Sequence, residues 1–443
     1  MIQVKDEKDS YLASFAEWTA GAAGRDWVRK LRQRAIQKFE TLGFPTLRDE
    51  EWKYTNVARV ARVPFQPSMA EPTADLNGAL ASFQLALGKG PRLVFLNGHF
   101  NEGLSDLSGL PSQARLSSLA VALESEPDLE KHFATQANYE ERSFVALNTA
   151  FVNDGMFLHL PAGTVVAEPI HLLYLTTASE GSTAVYPRSL IVADDNAQVA
   201  LVEDYASVLD DTYLTNAVTE VVIGQGAEVE YLKLLREGDG ALHVHSLAVD
   251  QGRDSRFYSH SMCFSGQLIR NNIDAHLSAE GAECTLNGLT VIGGEQHVDN
   301  QTRIVHAKPH CNSWEVYKNI LSDHATGVFN GKIYVNQDAQ KTDAKQTNQS
   351  LLLSDQAVMN SKPELEIYAD DVKCTHGATV GELDKDSLFY LRARGIDRET
   401  AQSLLIYAFA SDVVSSIRTP NLREAAQKLL FERLPSEFTP EEL

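Results

Sequence analysis

Between residues 155 and 383 the chain repeats one short unit, a run of β-forming residues followed by a turn of Gly, Asn or Asp. The runs include Met156-Phe157-Leu158-His159-Leu160, His171-Leu172-Leu173-Tyr174-Leu175, Ser189-Leu190-Ile191-Val192 and Lys332-Ile333-Tyr334-Val335, with others at 218–223, 229–235 and 242–249. Between them stand Pro161-Ala162-Gly163, Asp194-Asp195-Asn196, Gly224-Gln225-Gly226 and Gly293-Gly294. The step from turn to strand recurs as Asn196-Ala197-Gln198-Val199, Gly226-Ala227-Glu228-Val229 and Gly281-Ala282-Glu283-Cys284. Imperfect copies of one supersecondary unit mark a solenoid, in which each rung buries its apolar face on the next. Almost no helical periodicity interrupts the stretch, which argues against βαβ units. A jelly roll or a stacked sandwich is the all-β alternative.

Helical texture lies on either side, so three regions are expected: a helical and mixed region over 1–150, a β-solenoid core over 151–383 and a helical region over 384–443. In the first, Trp27, Leu31, Ala35, Phe39 and Leu42 recur at the spacing of one amphipathic face. Gly43 and Pro45 then end that helix. Pro64, Pro67 and Pro72 mark a loop, and Arg92-Leu93-Val94-Phe95-Leu96-Asn97-Gly98 reads as a strand entering a turn. In the last region Asp397 is a candidate N-cap. It opens a helix with the stripe Ala401, Leu404, Leu405, Ala408 and Phe409. Ile406, Tyr407 and Val414 lie off that stripe, so the helix needs more than one packing surface: the solenoid end, or a partner subunit. Thr419-Pro420 starts another helix with a cap and a first-turn proline, continuing through Leu422, Ala426, Leu429 and Leu430.

Charge and cysteine usage narrow the function. The 39 Lys plus Arg against 60 Asp plus Glu give −21, a field that disfavours nucleic acid and anionic lipid. No apolar run approaches the ~20 residues of a membrane helix. The start Met1-Ile2-Gln3-Val4-Lys5-Asp6-Glu7 lacks the pattern of a secretory signal, so a cytoplasmic protein is expected. The four cysteines, Cys263, Cys284, Cys311 and Cys374, form no CxxC and no dense framework. This suits free thiols in a reducing compartment, most of them buried as small apolar residues.

Enzyme signatures are missing. Gly327-Val328-Phe329-Asn330-Gly331-Lys332-Ile333 is one residue short of a phosphate loop, and Ile333 stands where Ser or Thr would hold magnesium. It reads better as a turn into a strand. There is no nucleophile elbow, no HExxH and no GxGxxG, and a carbohydrate-active β-helix would need a carboxylate cluster that nothing singles out.

Metal ligands are the better lead. His297, His306, His310, Cys311 and His324 crowd one stretch, and a solenoid could bring such residues together across rungs, although each also fits an ordinary core or surface role. His243 and His245 would share one strand face. The sharpest place is Asp370-Asp371-Val372-Lys373-Cys374-Thr375-His376-Gly377-Ala378-Thr379. There Cys374 and His376 share a face in extended backbone, a thiol and an imidazole that suit zinc, iron or an iron–sulfur unit, with Lys373 near enough to favour a thiolate. The alternative is two unrelated edge side chains.

These motifs carry a resemblance. Residues 313–321, 327–333, 341–348 and 362–381 resemble the SufB/SufD family of iron–sulfur cluster assembly proteins. Residues 370–379, the following Leu388-Phe389-Tyr390-Leu391 with Arg394-Gly395, and Glu51-Trp52-Lys53-Tyr54-Thr55 look like its SufD branch more than the SufB-type primary scaffold. The resemblance is dense over about residues 290–420. It implies a mainly β protein with a right-handed parallel β-helix flanked by N- and C-terminal helical domains. It further implies a scaffold subunit, not an enzyme, pairing with SufB through the β-helix and with the ATPase SufC through the C-terminal helices. The family's functional histidine falls on His376, with the adjacent thiol on Cys374, as tentative ligands of iron or a nascent cluster forming near the contact with SufB. A protein-bound cluster takes about four cysteines, and four scattered ones do not make a cage. A transient metal shared with SufB is therefore expected, with none held tightly by the isolated chain. A purely structural partner of the ATPase, without a ligand of its own, is the alternative. Open solenoid edges also invite pairing, so the isolated chain is expected to be able to form a homodimer.

Overall fold

The computed structural model of the protein describes residues 7–21, 24–68, 82–177, 182–208 and 210–434; the expected Pro72 loop residue lies outside them. Among the described residues, sheets of eleven and ten strands form the body, and the chain passes from one to the other strand by strand. In one sheet Leu214 pairs with Leu242, then Leu268, His297, Thr326 and Val358. In the other Glu228 pairs with Arg256, then Glu283, Asn312, Asp343 and Lys373. All these pairings are parallel, so the body is a β-solenoid of about 8 turns. A jelly roll or an ordinary sandwich would need antiparallel neighbours.

The recurring turn-to-strand step is the corner of this solenoid. One residue at each corner takes left-handed backbone: Asn196 (φ 58°), Gly226 (66°), Asp254 (53°), Gly281 (76°), His310 (61°) and Lys341 (64°). The residue after it is small and buried: Ala197, Ala227, Ser255, Ala282, Cys311 and Thr342. The 327–333 segment lies wholly inside the strand Thr326–Val335; the expected turn comes earlier, ending at Ala325.

The two ends differ. At the first, Arg92–Leu96 adds in parallel to Ile170–Thr176 and folds back antiparallel onto His99–Phe100. Arg115–Ser118 runs antiparallel to Met156–Leu160. At the far end Val358–Ile367 and Lys373–Gly381 each pair with one neighbouring strand, and their outer edges are open.

Helices cover the flanks. Asp9–Gly21 and Asp26–Leu42 bring Tyr11, Ile36 and Phe39 into a cluster with Leu214, Leu242 and Val244. Of the expected face on Asp26–Leu42, Ala35 and Phe39 are buried, but Leu42 is 39% exposed, and Val28, Arg32 and Ile36 complete the buried side. Gly43 ends that helix as expected, its N–H bonded to the Phe39 carbonyl.

Arg398–Ser415 and Pro420–Phe431 lie along the flank of the second sheet, where Ile406, Val413 and Leu422 meet Val202, Leu232 and Leu289. They do not plug the solenoid end. Asp397 caps the first of them, accepting the Thr400 N–H. Its buried residues are Ala401, Ser403, Ile406, Ala410, Val413 and Val414, which replaces the expected stripe: Ala408 is exposed and Ile406 faces the core. A helix apolar on several faces leaves the choice of face to the surface that it meets. Thr419 gives its N–H and hydroxyl to Glu230 instead of capping the second helix. No helix among the described residues is long and apolar enough to cross a membrane.

Buried charge pins the N-terminal region to the solenoid. Glu220, in the strand Leu214–Ile223, accepts the N–H groups of Ala134, Gln136 and Ala137 at 2.9–3.0 Å and pairs with Arg188 at 2.6 Å. Both side chains are fully enclosed. Farther along, Arg270 lies over Trp52, bonds the Glu51 carbonyl and pairs with Asp299, which also receives the Thr55 hydroxyl. Removing one partner of such a pair strands the other. Glu220→Ala should therefore cost about 3–5 kcal/mol, read as a lowered urea midpoint, with faster amide exchange at Ala134, Gln136 and Ala137. Unchanged stability would show that the pair pins nothing.

Candidate functional site

Cys374 and His376 lie on the terminal strand Lys373–Gly381, in extended backbone as expected. Cys374 is in register with Ala344, His376 with Gln346, Ala378 with Asn348 and Val380 with Ser350. Those four partners are buried side chains of the lumen. In-register parallel neighbours project to the same side, so Cys374 and His376 lie on the lumen side of the last rung, at an open mouth. His376 is exposed and Cys374 partly buried, the latter packed in a cluster with Ile333 and Ala344. Val380, 50% exposed, is a lumen-side apolar residue with no rung over it.

Burial pushes the Cys374 thiol up, relieved in part by the Ala344 backbone N–H and reinforced by Asp343. The expected help from Lys373 is not found, because successive residues of a strand point to opposite faces. The other thiols are buried. Burial raises Cys263 to about 12 and moves Cys284 the same way, and Cys311 fills a corner with its sulfur against the Ala279 carbonyl. All three match the expectation of small apolar residues.

The histidine-rich stretch does not converge. His297 bonds Thr55 on the outer flank, and His306 bonds Ser313 inside the lumen. His310 is a corner residue with φ 61°, and His324 stands exposed in a turn. Among the described residues no group of three or more His, Cys, Asp or Glu is placed to hold a metal ion. His243 and His245 do share a face, but inside the lumen. There His243 bonds Glu237 at 2.7 Å, and His245 sits between Thr219 at 3.1 Å and Lys233 at 3.0 Å. Burial lowers His245 and brings Lys233 down to about 7.

Two residues that sequence reasoning left unmarked stand behind His376. Gln346 is its neighbour in register, and Glu315 is the neighbour of Gln346. Gln346 Nε2 donates to Glu315 Oε2 at 2.7 Å, and burial raises that carboxyl to about 7. Aligning the rungs on their corners would have found both. His310 and Lys341 are corners, and Glu315 and Gln346 each come five residues later.

The arrangement offers one imidazole and one thiol at a mouth, a fraction of a metal's coordination shell. Iodoacetamide on the native chain should label Cys374 ahead of Cys263, Cys284 and Cys311. Its rate should still be rising at a pH where an ordinary thiol is already fully ionised. Peptide mass spectrometry reads both; equal labelling of all four would contradict the burial described.

Comparison with known proteins places the chain in a family. Residues 174–409 match the model of the SUF system FeS cluster assembly SufBD core domain, and residues 6–172 that of the SufBD protein N-terminal region. An iron–sulfur cluster assembly SufBD family protein of Synechocystis is 35% identical over 88% of each chain. The iron–sulfur cluster assembly protein SufD of Escherichia coli is 32% identical over 91% of this chain and 92% of its own length. The SufD of Bacillus subtilis is 29% identical over 92% and 93%. The two family models together cover residues 6–172 and 174–409, and relatives aligned over about nine-tenths of the chain are 29–35% identical to it; the chain belongs to the SufBD family of the SUF iron–sulfur cluster assembly system.

Proposed function

We propose that the chain is the SufD-type scaffold subunit of a cluster assembly complex. It pairs with SufB and the ATPase SufC and assists iron acquisition and cluster formation at the contact with SufB. The observation that carries this reading is the open far end of the solenoid, where two strands have free outer edges and Cys374 and His376 stand on the lumen side. An open rung is a template for another chain's strands. Covering this one would enclose the imidazole and the thiol together with whatever ligands the partner adds. The names of the Escherichia coli and Bacillus subtilis relatives support the SufD assignment.

The chain works without catalysis of its own. Iron, or the nascent cluster, is cargo held briefly between two subunits, and the isolated chain keeps no cofactor tightly. A homodimer of the isolated chain would use the same open end. The helix Lys385–Ala393 follows the terminal strand almost directly, has no buried residue, and exposes Phe389 (74%) and Tyr390 (57%). It suits the C-terminal contact with SufC. A pull on it by ATP-driven closure would reach His376 through a few residues of chain. The balance of charge and the reducing-compartment cysteines fit a cytoplasmic machine.

One observation favours a second reading, the purely structural partner: the Cys374 thiol is pushed up, away from the thiolate that binds metal. His376→Ala in the complex separates the two. The expected outcome is a marked loss of cluster build-up in cells with co-purification of SufB and SufC unchanged. Undiminished clusters would remove the metal role and leave the structural one. Absence of SufB and SufC from the purified material at native levels would sink both.

A further inference from the structure

Behind the open mouth, successive rungs stack one column of side chains. Leu286, Glu315, Gln346 and His376 hold the same register position on four neighbouring strands. Of these four, Leu286 is apolar and the three nearer the mouth are polar. Glu315 and Gln346 are each 1% exposed. A carboxyl group and an amide so enclosed cost several kcal/mol unless they are paired, and Leu286 shows that the same position tolerates an apolar residue.

The amide is held in one orientation. Its Nε2 donates to Glu315 Oε2 at 2.7 Å, and an ionised carboxylate can only accept. Gly331 provides the space, since a Cβ there would lie 2.3 Å from Gln346 Nε2. With Nε2 committed to the inner rung, Gln346 Oε1 remains, buried and without a partner among the described residues. The next member of the column, on the outermost strand, is His376.

We propose that Glu315 and Gln346 are positioning residues for His376: Gln346 Oε1 accepts one ring N–H and leaves the other ring nitrogen to face the mouth as a ligand. A metal-binding histidine is held in one tautomer by the acceptor on its second nitrogen. Here the acceptor is an amide that a buried carboxylate in turn holds in place. Neither residue touches the metal. The inference rests on the reading of His376 as an iron ligand.

The test is the 15N spectrum of the histidine-labelled full chain at about pH 8, above the Glu315 titration. It reports the His376 tautomer with no metal added. One tautomer is expected in the wild type and a mixture in Gln346→Leu. A single tautomer should return in the exchange variant E315Q/Q346E, which keeps both the amide–carboxylate bond and an acceptor beside His376. Iron retained by the complex with SufB and SufC should fall about 10-fold or more in Gln346→Leu and recover in the exchange variant. A tautomer indifferent to Gln346→Leu, or an exchange variant that folds but does not restore it, overturns the proposal. His376→Ala keeps the two readings apart. If it retains iron while the Gln346-dependent tautomer stands, the metal reading fails and the positioning chain survives. If it loses iron while the tautomer ignores Gln346, the positioning chain alone fails.

Discussion

Parallel, in-register stacking sets each lumen side chain about 4.8 Å from the residue at the same position one rung away. A buried polar group therefore has its nearest protein partners there or within the same rung. Many lumen groups pair in this way. Asn271 bonds Asn300, and Asn319 bonds Asn348. Glu203 takes the hydroxyls of Tyr205, Thr219 and Tyr231, and Lys233 meets His245 and Asn271. The Glu315–Gln346 pair belongs to the same scheme, and its column ends at the mouth on an imidazole, where that of Asn348 ends on Ala378.

The same stacking explains why the ends matter. Interior strands satisfy both edges with copies of themselves, and a terminal strand satisfies one. The first end is finished by antiparallel strands from the N-terminal region, Arg115–Ser118 and His99–Phe100. Both flanks are covered by helices. The far end presents the unpaired edges of two full rung strands, lumen-side apolar residues such as Val380, and the imidazole and thiol of the last rung. A subunit that shares a metal across a contact needs its ligands at such a boundary. A ligand inside the stack would be sealed, as Cys263 and Cys284 are.

Much of this was legible in advance. The corner motif at Asn196, Gly226 and Gly281 announced the solenoid, and the i, i+2 spacing of Cys374 and His376 put them on one strand face. Other readings failed for identifiable reasons. Ile406 faces the core and Ala408 does not, because a helix apolar on several faces takes its buried face from the sheet that it meets. His297, His306, His310, Cys311 and His324 are near in sequence but fall on a flank, in the lumen, at a corner and in a turn. Nearness along a solenoid rung carries no convergence. Lys373 neighbours Cys374 in the chain and yet points away from it.

The sequence alone determined the repeat and the strand face that His376 and Cys374 share, because these depend on local backbone preference and a period of two. Only the tertiary structure decided which rung is last, which side of it is the lumen, and which residues stand behind the histidine. Those follow from register between strands about 30 residues apart, where the pairing of Gln346 with His376 and of Glu315 with Gln346 is made by the stacked rungs and not by any local signal.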